Sequence, residues 1–132
     1  MKNKYILDLS EVKLSDLELV GGKNASLGEM IQNLSKLGVE IPGGFALTVD
    51  AYWEFINHNK LDKKIRRYIK KMKKDDLVSL KKTGLEIRQL IRNGKWPREV
   101  KEEIRYNYTL LSQKYGQEIT DVAVRSSATA ED

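Results

Sequence analysis

The chain contains no cysteine, one histidine and two prolines. The missing thiols exclude a disulfide scaffold, thiolate metal sites and cysteine catalysis. A lone His58 argues against a histidine-based catalytic site or a multi-histidine metal centre. Any transfer through a phosphohistidine would need that histidine from elsewhere. Long apolar runs are absent too. Nothing approaches the roughly 20 residues of a membrane span, and Met1–Asp8 lacks the apolar stretch of a secretory signal. The expectation is a cytoplasmic protein without membrane contact. Nine glycines and two prolines are too few for a fibrous or low-complexity chain.

What is present is a globular composition, 40% hydrophobic and 33% charged. A chain of 132 residues makes one domain or a piece of one, and buries roughly two thirds of its unfolded surface. The net charge of +5 is concentrated in one place. Lys60–Lys74 holds nine basic residues and one acid, Asp62, while the other 15 basic and 18 acidic residues leave −3. A basic patch of this kind binds nucleic acid or an acidic partner. Leu61, Ile65, Tyr68, Ile69 and Met72 keep helical spacing beneath the charges. The one aromatic residue there, Tyr68, belongs to that apolar spacing and does not interleave with the charges for base stacking, so a solvated helix face is the plainer reading and nucleic acid is not an expected partner.

Periodicity lays out the elements. Tyr5–Leu9 reads as a short first strand, and Leu14–Val20 is ambiguous. Leu27, Met30, Ile31, Leu34 and Leu37 recur at helical spacing, with Ser26 and Glu29 resembling a capping box. That helix starts at Asn24 or earlier, and Gly38 ends it. Ile41–Phe45 predicts a tight turn with positive φ at Gly43, followed by a strand to Val49. Thr48 or Asp50 caps a helix through Tyr52, Trp53, Phe55 and Ile56. After the basic helix, Leu77, Leu80, Ile87 and Ile91 mark another, ended by Asn93 and Gly94. Trp96-Pro97 opens the last, whose stripe is Val100, Ile104, Tyr108, Leu111 and Tyr115, stopped by Gly116. Asp121–Arg125 reads as a buried strand. The fold expected is helix-rich α+β with a small sheet and no visible domain boundary.

Two stretches carry candidate chemistry. Gly21-Gly22-Lys23 opens a helix, where free N–H groups attract anions and glycines admit a phosphate. It is not a Walker A loop. That motif needs Gly where Leu17 stands and Ser or Thr where Asn24 stands. Arg125-Ser126-Ser127 leaves the last strand with a bidentate cation and two hydroxyls, which suits phosphate oxygens. The residues alone leave both readings open. Gly-Gly-Lys also makes a plain turn before a helix, and Arg125 also satisfies backbone carbonyls at a strand exit. Glu131 and Asp132 are candidate metal-neighbouring carboxylates at the chain's end.

Taken in order, Val20-Gly-Gly-Lys-Asn-Ala-Ser-Leu-Gly-Glu-Met30, Ile41-Pro-Gly-Gly-Phe45 with Thr48, Ala51 and Tyr52, and Ala123-Val-Arg-Ser-Ser-Ala-Thr-Ala-Glu-Asp132 resemble the N-terminal start of the phosphoenolpyruvate synthase (pyruvate, water dikinase) family. Pyruvate phosphate dikinases and rifampin phosphotransferases share the Gly-Gly-Lys and Val-Arg-Ser elements. The likeness runs from residue 4 to residue 132 and stops inside the last motif. It implies a partial ATP-grasp nucleotide-binding domain over residues 1–132, truncated at its C-terminus.

The resemblance also implies a reaction, ATP plus pyruvate plus water giving phosphoenolpyruvate, AMP and phosphate, with Mg²⁺. By position, Lys23 and Arg125 match the family's ATP phosphate-binding cations. Gly22, Ser126, Ser127 and Thr129 are candidate lining residues. The catalytic histidine, the metal ligands and the pyruvate-binding barrel lie outside this chain. The fragment is therefore expected to be inactive alone and to bind ATP weakly, with uncovered apolar surface favouring self-association. The alternative is a basic binding module whose Lys60–Lys74 helix docks nucleic acid or an acidic partner.

Overall fold

A computed structural model describes residues 2–130. The chain divides into two compact units, Met1–Tyr52 with Arg98–Asp132, and Trp53–Pro97 between them. The expected helix-rich α+β architecture is present. The division appears where composition shows no boundary, because no loop rich in glycine, proline or serine marks it. Charge does follow it. Trp53–Pro97 carries 14 basic and 5 acidic residues, a net of +9, against 10 basic and 14 acidic residues, a net of −4, in the rest.

The first unit is built on a small antiparallel sheet. β1 (Ile6–Asp8) pairs with β2 (Phe45–Leu47), placing Ile6 opposite Leu47 and Asp8 opposite Phe45. A 3-10 turn at Leu14–Asp16 leads into the short α1 (Leu17–Val20) and then α2 (Gly22–Ser35). Leu9, Val12, Val20, Ile31 and Ala46 form one buried cluster, with Leu7, Leu19, Leu27 and Ile41 packed on it. Tyr5, Ala51 and Val100 form a second cluster with Ile104 of α6 (Arg98–Lys114). Ala51 lies on α3 (Val49–His58). Thr48, just before α3, is buried, and its hydroxyl donates to the Tyr5 carbonyl at 3.2 Å.

The second unit joins the end of α3 to α4 (Asp62–Lys71) and α5 (Leu77–Arg92). Phe55, Ile56 and Leu61 are its core, with Ile65 and Leu90 against them. Asn59 ties the two ends of the unit together, donating to the Lys95 carbonyl and accepting from its N–H at 2.9 and 2.7 Å. The basic side chains of α4 face solvent, and its one ion pair among the described residues is Arg66 with Asp62.

Three helices are followed within three residues by one in the left-handed conformation. These residues are Gly38, Lys60 and Gly116, at φ 80, 54 and 64°. At Lys60 the paired bonds are Leu61 N–H to Ile56 O and Lys60 N–H to Asn57 O, both 3.0 Å. Glycine takes this conformation freely, whereas lysine is strained in it. Lys60→Gly is expected to stabilise the chain by about 0.5–1 kcal/mol. Urea unfolding checks this, and an unchanged or lower midpoint means the lysine is not strained.

Several expectations need correction. The capping-box signal of Ser26 and Glu29 is not used, although the helix does start before Asn24 as expected. α2 begins at Gly22, and Gly21 holds the cap position without a side-chain bond. The Ile41–Phe45 stretch does not close into a turn with positive φ at Gly43. Instead, Gly43 N–H donates to the Tyr115 hydroxyl at 2.7 Å and Gly44 O accepts from Leu9 N–H at 3.0 Å. These outside partners keep the stretch from folding onto itself. On α5 the inward face centres on buried Thr83, leaving Leu77, Leu80 and Ile91 at 62, 45 and 40% exposure. Met30 and Leu37 of the α2 stripe are likewise exposed.

The largest difference is at the end of the described chain. Asp121–Arg125 forms no strand, and Val124 is 93% exposed. β1 and β2 pair only with each other, and among the described residues the stretch joins neither of their outer edges. It is held at its two ends. Near the first, Thr120 is buried, its N–H donating to Ser112 Oγ at 3.2 Å while its carbonyl accepts from the Tyr108 hydroxyl at 2.5 Å. The second end rests on Gly21.

Candidate functional site

Gly21 sits where α1 stops and α2 starts. Its N–H donates to Leu17 O at 2.8 Å and its carbonyl accepts from Ala25 N–H at 3.0 Å. The φ of 83° and ψ of 162° belong to a region that side-chain-bearing residues avoid. Onto this bare backbone folds the Ser127–Ala128 peptide. A Cβ at Gly21 would lie 2.9 Å from Ala128 N and would run into Ser127 Oγ. The next residue, Gly22, reaches Ala128 O with its N–H at 3.4 Å. The Gly-Gly-Lys turn and the Arg-Ser-Ser segment, more than 100 residues apart in sequence, therefore meet at the mouth of α2.

Around this contact the candidate residues fall as follows. Lys23 is the second residue of α2 and is exposed. Arg125 and Ser126 lie two residues and one residue before Ser127, both exposed, and Thr129 follows Ala128 in a turn. Ser127 is half-buried, and its Oγ is shut from solvent without a hydrogen-bond partner. Glu131 and Asp132 lie outside the described residues.

A phosphate group fits this place on two counts. The orphaned Ser127 hydroxyl has a donor to give, and at the helix mouth the Gly22 N–H meets Ala128 O only at a long 3.4 Å. Magnesium has no comparable support. Among the described residues no cluster of three or more histidine or carboxylate side chains is placed to hold a metal ion.

Two features lie apart from this contact. A cavity of about 590 Å³ sits at the other end of α2, lined by Ser35, Glu40, Pro42, Lys114 and Tyr115 among others, and contains none of the candidate phosphate residues. His58 is exposed at the end of α3. Among the described residues no helix is long and apolar enough to cross a membrane.

The sequence marks Gly21 as part of the Gly-Gly-Lys stretch, but only Gly22 was expected to line the site, and the contact with Ser127 and Ala128 falls on Gly21. The run of two glycines was the available signal, since one glycine suffices for a simple turn.

Residues 17–132 match the family model described as pyruvate phosphate dikinase, AMP/ATP-binding domain. The chain is 51% identical over 127 residues to a phosphoenolpyruvate synthase of Aquifex aeolicus, covering 96% of this chain and 15% of that protein. Phosphoenolpyruvate synthases of Pseudomonas aeruginosa and Escherichia coli are 44 and 43% identical over 98 and 96% of the chain, which spans 16% of each. The chain thus spans about a sixth of the length of these curated relatives. With the glycine turn and the arginine segment in contact and the match running across most of the residues, the chain belongs to the pyruvate phosphate dikinase AMP/ATP-binding domain family.

Proposed function

We propose that this chain supplies one wall of the ATP phosphate site of an ATP-dependent phosphotransferase of the phosphoenolpyruvate synthase type. The reaction is ATP plus pyruvate plus water giving phosphoenolpyruvate, AMP and phosphate. The observation that supports this most directly is the seating of Ser127–Ala128 on Gly21, because it brings the segments bearing Lys23 and Arg125 to one helix mouth. In this reading Lys23 and Arg125 neutralise phosphate oxygens, Lys23 as a mobile point charge and Arg125 as a two-pronged donor. Charge on a transferring phosphoryl group is what such cations stabilise. Gly22, Ser126, Ser127 and Thr129 line the place. Mg²⁺ arrives with the nucleotide.

Residues 1–132 act as part of a nucleotide-binding domain in the cytoplasm. Pyruvate and the phosphoryl-accepting histidine belong to parts of the enzyme outside these residues. The chain alone binds ATP weakly and does not turn over. Exposed Leu77, Val78, Leu80 and Leu85 favour self-association at high concentration.

Amide chemical shifts of the chain titrated with ATP–Mg²⁺ test the reading. Residues 22–26 and 125–127 are expected to move together. Lys23→Ala or Arg125→Ala each removes charge-assisted bonds, and each should weaken the response by about tenfold or more. Unaltered titrations in both variants would reject the assignment.

A second reading has one observation behind it, the +9 charge of Trp53–Pro97. A basic module predicts salt-sensitive binding of a DNA duplex, with shifts confined to residues 60–74. The nucleotide reading expects those amides to stay still.

A further inference from the structure

The nucleotide reading names cations and hydroxyls but leaves open what holds them in register. We infer that Gly21 is the positioning residue of the phosphate site. Its bare backbone seats the Ser127–Ala128 peptide over the mouth of α2, and the Ala128 carbonyl there is a placeholder that a phosphate oxygen displaces. This rests on the nucleotide reading and adds to it a residue and a ligand-exchange step.

The geometry supplies the argument. At φ 83° and ψ 162°, Gly21 occupies a region essentially reserved for glycine. A Cβ there would also come within 2.9 Å of Ala128 N and 3.0 Å of Ala128 C, both of them backbone atoms that clear it only if the whole segment lifts away. Conformation and close approach therefore demand the same residue. No such demand arises for a turn that merely starts a helix.

The seat is incompletely satisfied. Gly22 N–H reaches the Ala128 carbonyl at 3.4 Å, beyond the usual 2.7–3.2 Å of such bonds. Ser127 Oγ is buried with no partner. Two under-used donors thus belong to the two segments that meet at the positive end of a helix of 14 residues. An anionic phosphate oxygen satisfies both better than a neutral carbonyl does, since bonds to an ionised acceptor are shorter and stronger. The Ser127 hydroxyl costs stability when its partner is absent and contributes binding when a phosphate arrives.

The test uses the ¹⁵N-labelled 132-residue chain, titrated with ATP–Mg²⁺ into the millimolar range appropriate to a weak site, on the order of 1–10 mM, with thermal unfolding recorded alongside. In the wild type, the amides of Gly22, Ser127 and Ala128 should move. In Gly21→Ala, the Ser127 and Ala128 amides should sit at unstructured positions before any ATP is added. Arg125–Ala128 should then drop out of the response, while Ile6 and Val100 stay in place.

Ser127→Ala keeps the seat and removes only the hydroxyl. Its spectrum without ATP should be nearly that of the wild type, with an equal or higher melting temperature and an ATP midpoint raised about tenfold. A merely structural serine would instead lower the melting temperature and leave the midpoint unchanged. Should Gly21→Ala fail to fold, Ser127→Ala alone decides. An unchanged midpoint there, or a wild-type response at Arg125–Ala128 in a folded Gly21→Ala, overturns the inference and leaves the nucleotide reading intact. A wild-type chain that ignores ATP altogether overturns both.

Discussion

Gly28→Ala is expected to destabilise the chain by about 2–3 kcal/mol and to lower its melting temperature by roughly 10 °C. The substitution is one methyl group, and on helix propensity alone it should help by about 1 kcal/mol. Packing reverses the sign. Gly28 is buried on the inner face of α2, and a Cβ there would lie 2.7 Å from Val12 Cβ and 2.9 Å from Val12 C. Val12 is 0% exposed, and its carbonyl accepts from Gln32 Nε2 at 2.6 Å. Neither side of the contact has room to yield. The helix would have to shift outward, weakening the Gln32 bond and the packing of Ile31. Because α2 begins at Gly22, the same shift would disturb the mouth on which Ser127–Ala128 rests. Calorimetry of the variant measures the cost. A melting temperature within about 2 °C of the wild type would mean that the helix relaxes freely and that Gly28 is not a packing constraint.

The residues that reveal the fold in the sequence are those whose pattern is local. β1, β2 and α2–α6 all lie where alternation or helical spacing puts them, and Gly38 and Gly116 stop helices as expected. The failures share a cause, which is dependence on a partner distant in sequence. Val122 and Val124 alternate as a strand should, but a strand exists only with a neighbour to bond. The Gly43 turn was displaced by a hydroxyl on Tyr115, 72 positions away. On α5, three large apolar residues outweighed Thr83 in the reading, although Thr83 is the one buried. Lys23 and Arg125 were identifiable as cations beside glycines and hydroxyls. That their segments touch was not, because the contact is made by Gly21 and by the backbone of Ala128, neither of which carries a chemical signature.

The second large effect falls on Glu103, a carboxylate on α6 that is buried and hydrogen-bonded. Glu103→Ala is expected to cost about 2–4 kcal/mol. Glu103 stands next to Ile104 of the apolar stripe on α6, yet it is only 5% exposed. One oxygen, Oε1, accepts from the N–H groups of Lys4 and Tyr5 at 2.8 and 2.7 Å. The same Tyr5 accepts through its carbonyl from Thr48 N–H at 2.9 Å and from the Thr48 hydroxyl. A run of polar bonds thus links α6 to the entry of β1 and on to the exit of β2. Beside it, Asn3 and Asn107 exchange side-chain bonds at 3.2 and 2.9 Å. Truncation to alanine leaves the buried Tyr5 N–H without an acceptor and opens a gap beside Val100. Lys4 suffers less, since it is exposed and water can serve it. Glu103→Gln keeps an oxygen in place and loses only the charge, so its cost should be smaller, about 1–2 kcal/mol. The order of the two variants in urea unfolding is the decisive reading. If glutamine costs as much as alanine, charge is what matters at position 103. If neither variant moves the midpoint, α6 is not held to the first strand through this carboxylate.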